Sequence, residues 1–137
     1  MKYEKVHTVN DYWDGPVEGV ADYQGKPHKF NLLFDENEDD YSTDYELQKI
    51  STKEFDLIIL SWSLWIKWKN KKDKTKEEID SHPVLPKDKK EREIIEAQLK
   101  KLTESRDSTK FKVKGFFKRL GSEHHDFEVH WKTNGGT

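Results

Sequence analysis

Polar and apolar residues alternate in six short stretches of this chain and recur at helical spacing in two longer ones. A period of two puts every second side chain on the same face of a strand. That pattern marks residues 3–9 (YEKVHTV) as a short strand or extended lead-in. It predicts strands over 17–24 (VEGVADYQ), 28–35 (HKFNLLFD) and 45–50 (YELQKI). In the second of these, His28, Phe30, Leu32 and Phe34 share a face. Two more strands are predicted late in the chain, over 110–120 (KFKVKGFFKRL) and 126–132 (DFEVHWK). The first puts Phe111, Val113 and Phe117 on one face, with Gly115 read as a bulge. The second puts Phe127, Val129 and Trp131 on one face. Turn chemistry separates the strands: NDYWDGP at 10–16, Gly25-Lys26-Pro27, and the loop 121–125.

The spacing predicts a helix over 52–68, TKEFDLIILSWSLWIKW. At about 100° per residue, Thr52, Asp56, Ser63 and Lys67 form a narrow polar stripe. Trp65 lies opposite it, flanked by Trp62 and Trp68. A helix apolar over most of its circumference is expected at the centre of the domain, with Trp65 nearly fully buried. Ser51 with Glu54 three residues on is a capping box. Residues 69–88 (KNKKDKTKEEIDSHPVLPKD) read as an exposed lysine-rich loop with a short turn at HPVLP. Asp88 with Glu91 opens a second helix to about Ser105, with a narrow stripe of Ile94, Ile95, Gln98, Leu99 and Leu102.

This order of elements predicts an α+β fold: an antiparallel sheet of about five strands with two helices packed on one face. A length of 137 residues fits a single domain over 1–137.

Composition narrows the function more by exclusion than by suggestion. Charged residues make up 38% of the chain and apolar ones 32%, so aromatic side chains must supply much of the core. The absence of cysteine excludes disulfides, thiolate metal sites and cysteine catalysis. The start, MKYEKVHTVNDYW, lacks the apolar centre of a signal peptide, and the Trp helix is too short and too polar to span a bilayer. A cytoplasmic protein without a membrane partner is expected. The net charge of −2 is unevenly placed: residues 1–60 carry −8 and residues 61–137 carry +6. Two solvated faces account for this asymmetry, and a basic surface for an anionic partner is the sharper alternative.

Six histidines are present, but no pair has i,i+4 helical spacing and no HExxH string occurs, so no metal site and no cofactor is expected. No GxSxG, GxxxxGK[ST] or GxGxxG string occurs either. The acidic stretch 35–44 (DENEDDYSTD) has the composition of a solvated loop. The strand KFKVKGFFKRL alternates lysine with apolar residues, as nucleic-acid binders do, yet a sheet with one wet face alternates in the same way. Tyr12 and Trp13, between two acids, fit either a recognition patch or a plug closing one end of the sheet.

The strings HTVNDYWDGPVEGVADYQGKPHKF, WSLWIKW and SHPVLPKD, in this order, resemble a family of small uncharacterised bacterial proteins. Those proteins carry a DYxDGPxxGxAxxxGxPHxF stretch, a helix with spaced tryptophans and an HPxLP segment. The resemblance covers roughly residues 7–100. It implies a bacterial origin and marks Asp11, Tyr12, Asp14, Gly15, Pro16, Gly19, Ala21, Gly25, Pro27, His28, Trp62, Trp65, Trp68, His82 and Pro83. It implies no activity. Most of these are Gly, Pro and Trp, residues of fold; Tyr12, Asp14, His28 and His82 are exceptions.

The expected function is a non-catalytic binding or protein-interaction domain of a bacterial cytoplasmic protein, with another protein as the candidate partner. A small enzyme with a Tyr/Asp/His polar site is one alternative, and nucleic-acid binding through the basic C-terminal half is the second. The candidate ligand- or partner-binding residues are Tyr12, Trp13, Asp14, His28 and His82, with none assigned a catalytic role.

Overall fold

The computed structural model describes residues 2–33, 44–123 and 125–133. The acidic stretch, apart from Asp44, and His124 lie outside the described residues. The chain forms two compact units, one of residues 1–50 and 107–137, the other of residues 51–106.

The first unit is a barrel. Strands β1 (Glu4–Tyr12), β2 (Pro16–Tyr23), β3 (Lys26–Leu32), β4 (Asp44–Lys49), β5 (Lys110–Arg119) and β6 (Phe127–Thr133) pair antiparallel with their sequence neighbours. β6 then pairs back onto β1, with Glu4 opposite Val129 and Lys5 opposite Glu128, and the sheet closes. This corrects the expected open sheet of about five strands with two helices on one face. The lead-in at 3–9 is a full strand that runs on to Tyr12. Its far edge receives β6, so the sheet closes on itself and keeps no free edge.

Barrel closure follows from side-chain size. Four strands send one ring each to the axis: Phe30 from β3, Tyr45 from β4, Phe117 from β5 and Trp131 from β6. Every pair among these rings has its centroids 5.2–6.2 Å apart. These spacings suit tilted and edge-to-face aromatic packing. The facing strands supply small or slim residues, Val6 and Val9 from β1 and Ala21 from β2. Such pairing of large with small suits the narrow bore of a small barrel. Polar ring atoms are satisfied: the Tyr45 hydroxyl donates to the Pro16 carbonyl at 2.7 Å, and Trp131 Nε1 donates to the Asp22 carbonyl at 2.9 Å.

Gly115 is not a bulge. The β5–β6 register runs unbroken from Val113 to Arg119, with Gly115 opposite Trp131. A Cβ there would lie 2.6 Å from the Trp131 ring and 2.8 Å from the Tyr45 ring. Its small size makes room for the aromatic cluster.

The second unit is helical: α1 (Thr52–Asn70), α2 (Lys76–Asp80), a 3₁₀ turn (Pro86–Asp88) and α3 (Lys89–Glu104). Its core is small, with Leu64, Val84 and Ile95 buried and Leu57 and Leu99 packed against them. Trp62, Trp65 and Trp68 are half-buried, so Trp65 is not the centre that the pattern predicted. Apolar residues around most of a helix leave its periodicity unable to choose a face. Trp62 and Trp65 instead pack on each other at 4.8 Å, and Lys69 lies 5.6 Å over the Trp65 ring. Ser51 caps α1 by accepting the Glu54 N–H at 3.1 Å. The Glu54 carboxylate does not complete the box. It turns inward and takes a two-pronged ion pair from Arg106, whose Nε donates to Oε1 at 3.1 Å.

The lysine-rich stretch 69–88 is more ordered than an exposed loop. Lys74 Nζ donates to the Lys71 carbonyl at 2.9 Å and lies 4.8 Å over the Trp68 ring. Thr75 and Glu78 form the capping box of α2. Ser81, Val84, Leu85 and Asp88 are buried. Lysine hydrocarbon stems and local capping, rather than an apolar period, organise the segment.

Candidate functional site

The DGP turn joins β1 to β2, with Tyr12 opposite Pro16 and Asp14 in the left-handed region at φ 56°. Tyr12 packs against Phe127 at a ring distance of 6.3 Å and accepts a 2.9 Å hydrogen bond from Arg119 Nη2. The Arg119 guanidinium lies 5.2 Å over the Phe127 ring. Trp13 is 69% exposed at the turn tip. The Asp14 side chain is exposed.

His28 stands at the other end of β2. It pairs with Ala21, near the tight Tyr23–Lys26 hairpin. The span from Pro16 to Ala21 along β2 is roughly 16 Å at about 3.3 Å per residue. The structure therefore does not bring His28 to the Tyr12–Asp14 turn. His28 is buried between two rings, 5.3 Å from Tyr23 and 5.8 Å from Phe111. Its Nδ1 donates to the Lys26 carbonyl at 2.8 Å. His82 belongs to the helical unit, exposed and edge-on to Trp68 at 4.5 Å.

These placements leave the sequence-predicted residues without a shared chemistry. The Tyr12 hydroxyl is engaged by Arg119, and the His28 ring is fixed by its backbone bond and its aromatic neighbours. Among the described residues no group of three or more His, Cys, Asp or Glu is placed to hold a metal ion. An open depression in the helical unit, about 800 Å³, is lined by Lys67, Lys71, Glu78 and Lys87 among others. Two of those lysines are committed: Lys67 to Asp88 at 3.2 Å, and Lys71 to Glu78. The lysine and the Thr75 backbone N–H hold the Glu78 carboxyl down to about 2.

Burial lowers the pKa of His28 below its ordinary value. The folded state favours the neutral ring, whereas the unfolded chain takes up a proton near pH 6.5. Stability is then complete above that pH and falls as the pH drops below it, by at most about 1.4 kcal/mol per pH unit from this group. His28→Gln is expected to flatten the urea-midpoint profile between pH 8 and pH 5.5. An equal acid loss in both proteins would assign the slope to other groups.

The outer wall of β5, β6 and the start of β1 carries a second constellation that sequence reading missed. Phe116 on β5 pairs with His130 on β6, their rings stacked at 6.2 Å and 27°. Tyr3 adjoins His130 at 6.1 Å. Lys118 Nζ lies 5.5 Å over the Tyr3 ring. His130 Nδ1 donates to the Lys2 carbonyl at 2.8 Å, which orients the ring. The sequence held one available signal: in the Phe116-Phe117 dipeptide of a strand, one phenyl must face outward.

Comparison with family models, curated proteins and solved structures finds no match. Among the described residues, no helix is long and apolar enough to cross a membrane.

Proposed function

We propose that this protein is a non-catalytic binding domain that works through the outer surface of its barrel. The filled barrel axis carries the reading. Small barrels that bind metabolites hold them inside, whereas here Phe30, Tyr45, Phe117 and Trp131 occupy the axis in mutual contact. The separation of His28 from the Tyr12–Asp14 turn along β2 weighs against the small-enzyme alternative. A cytoplasmic setting belongs to the same reading. So does membership of the small bacterial family with the DYxDGPxxGxAxxxGxPHxF stretch. The residues marked by that stretch have evident work in the fold: Asp14 and Gly15 make a turn, and Gly19 and Ala21 line the barrel.

Methyl and amide NMR titration against a metabolite library and against host-cell extract tests the reading. Shifts are expected at outward positions of the barrel. A small molecule that saturably shifts the inward methyls of Leu47, Val113 and Val129 would replace it with an internal ligand site.

A further inference from the structure

The outer wall of β5, β6 and the β1 lead-in has the parts of a stacking surface for nucleic acid. Tyr3, His130 and Phe116 form a row of three rings running across the strands, with neighbours 6.1 and 6.2 Å apart. The row faces out, because the alternate positions Gly115, Phe117, Val129 and Trp131 face the axis. Phe116 is 40% exposed, on a strand whose other outward positions, Lys110, Lys112, Lys114 and Lys118, carry lysine.

Charge surrounds the rings on both sides. One register step toward the β5 start, Lys114 stands opposite Lys132. One step the other way, Lys118 stands opposite Glu128, and Lys5 stands beside Glu128 on β1. Four lysines thus flank the row against two acids, Glu128 and, beside Lys114 on β4, Asp44. Lys114 also reaches Asp44 at 3.4 Å, and Lys118 reaches Glu128 at 3.7 Å. Both lysine side chains remain substantially exposed, and ion pairs of this kind are worth little in water. They can exchange their carboxylate for a phosphate.

We propose that this face binds single-stranded nucleic acid, with two or three bases stacked on Phe116, His130 and Tyr3 and the backbone phosphates met by Lys114, Lys132 and Lys118. The inference rests on the outer-surface reading above and names its partner. Aromatic side chains at stacking spacing with flanking cations are the general means of holding unpaired bases without reading sequence. A convex barrel wall offers no groove for a duplex, and an acidic peptide would use the lysines but leave the rings without a role.

Fluorescence anisotropy with labelled twelve-nucleotide oligo(dT) and oligo(rU), and with a duplex of the same length, tests it. Both single strands are expected to bind saturably in 50 mM salt and to weaken steeply by 200 mM, since phosphate contacts release counterions. The duplex is expected to bind at least tenfold more weakly. Phe116→Ala is expected to weaken single-strand binding about tenfold, from loss of one stacked base. Tyr3→Ala, outside the strands, provides a second variant that leaves the barrel pairing intact and should act in the same direction. Lys114→Gln with Lys132→Gln should lower the salt dependence. Absence of single-strand binding at 50 mM salt, or affinity unchanged by both aromatic substitutions, overturns the proposal. A poly-glutamate peptide that shifts the amides of this face where oligonucleotides do not would also overturn it, yet leave an outer-surface binding domain standing. A ligand entering the barrel axis would remove both.

Discussion

Phe30→Ala is expected to cost about 3–5 kcal/mol, the range for deleting a buried phenyl ring. Phe30 has no exposed surface and touches each of the other three axial rings. The size of the loss depends on whether neighbours can collapse into the space. Two of them are tied: Tyr45 through its hydroxyl to Pro16 O, and Trp131 through Nε1 to Asp22 O. Moving either ring inward would break a hydrogen bond, so the cavity is expected to persist. A loss of that size takes a large part of the stability of a domain worth about 5–15 kcal/mol. Urea denaturation followed by tryptophan fluorescence measures it, with Phe116→Ala, two strands away on β5, as the outward counterpart. The outward substitution is expected to shift stability by about 0.5 kcal/mol or less. Equal effects for the two would mean that the axial rings are not the core of the barrel.

The strands were legible because alternation is a local property. The stretches 17–24, 45–50, 110–120 and 126–132 correspond to β2, β4, β5 and β6 to within a residue or so at their ends. Closure was not legible, because it depends on whether the first and last strands meet. That meeting involves the pairs Glu4–Val129 and Lys5–Glu128, which leave no mark in the local pattern. Asn10, Asp11 and Tyr12 also looked like a turn, although β1 runs through them with register shifts at Val9–Asp11 and Asp11–Tyr12. The helix at 52–68 was equally legible in extent, as α1 spans Thr52–Asn70. Its role was not, since tryptophans packed on each other and under lysines give the same pattern as a central core helix.

The candidate residues divide in the same way. A hydroxyl, a carboxylate and an imidazole in one short stretch suggested a site, but strand direction sent His28 to the far end of β2. Burial between Tyr23 and Phe111 makes it a packing residue with a satisfied Nδ1. The row of Tyr3, His130 and Phe116 joins positions more than a hundred residues apart, and only the β5–β6–β1 register aligns them. The FF dipeptide announced an outward phenyl, while its neighbours across the strands had to come from the fold.

Gly19→Ala is expected to destabilise the barrel by about 2–3 kcal/mol, at the upper part of the usual overpacking range. The sign is informative. Within a strand, glycine is ordinarily the poorer residue, and replacing it by alanine at a compatible backbone conformation stabilises by about 0.4–1 kcal/mol through the unfolded chain. Here a Cβ would lie 2.1 Å from the Thr8 carbonyl oxygen and 2.9 Å from Phe30 Cζ. The nearer obstacle is backbone, which cannot rotate away as a side chain can. Thr8 is itself held, fully buried, with its hydroxyl donating to Asn10 Oδ1 at 2.8 Å and accepting the Val20 N–H at 3.0 Å. Relief would require β1 to move away from β2 beside the register shift between Val6 and Thr8. The close approach of two strands at Gly19 and the presence of Phe30 on the axis are thus one packing arrangement. In a double-mutant cycle with Phe30→Leu, the Gly19→Ala cost should shrink measurably, because the ring side of the clash is relieved while the carbonyl side remains. A stabilised Gly19→Ala barrel in urea denaturation would mean that β1 and β2 lie further apart than this packing requires.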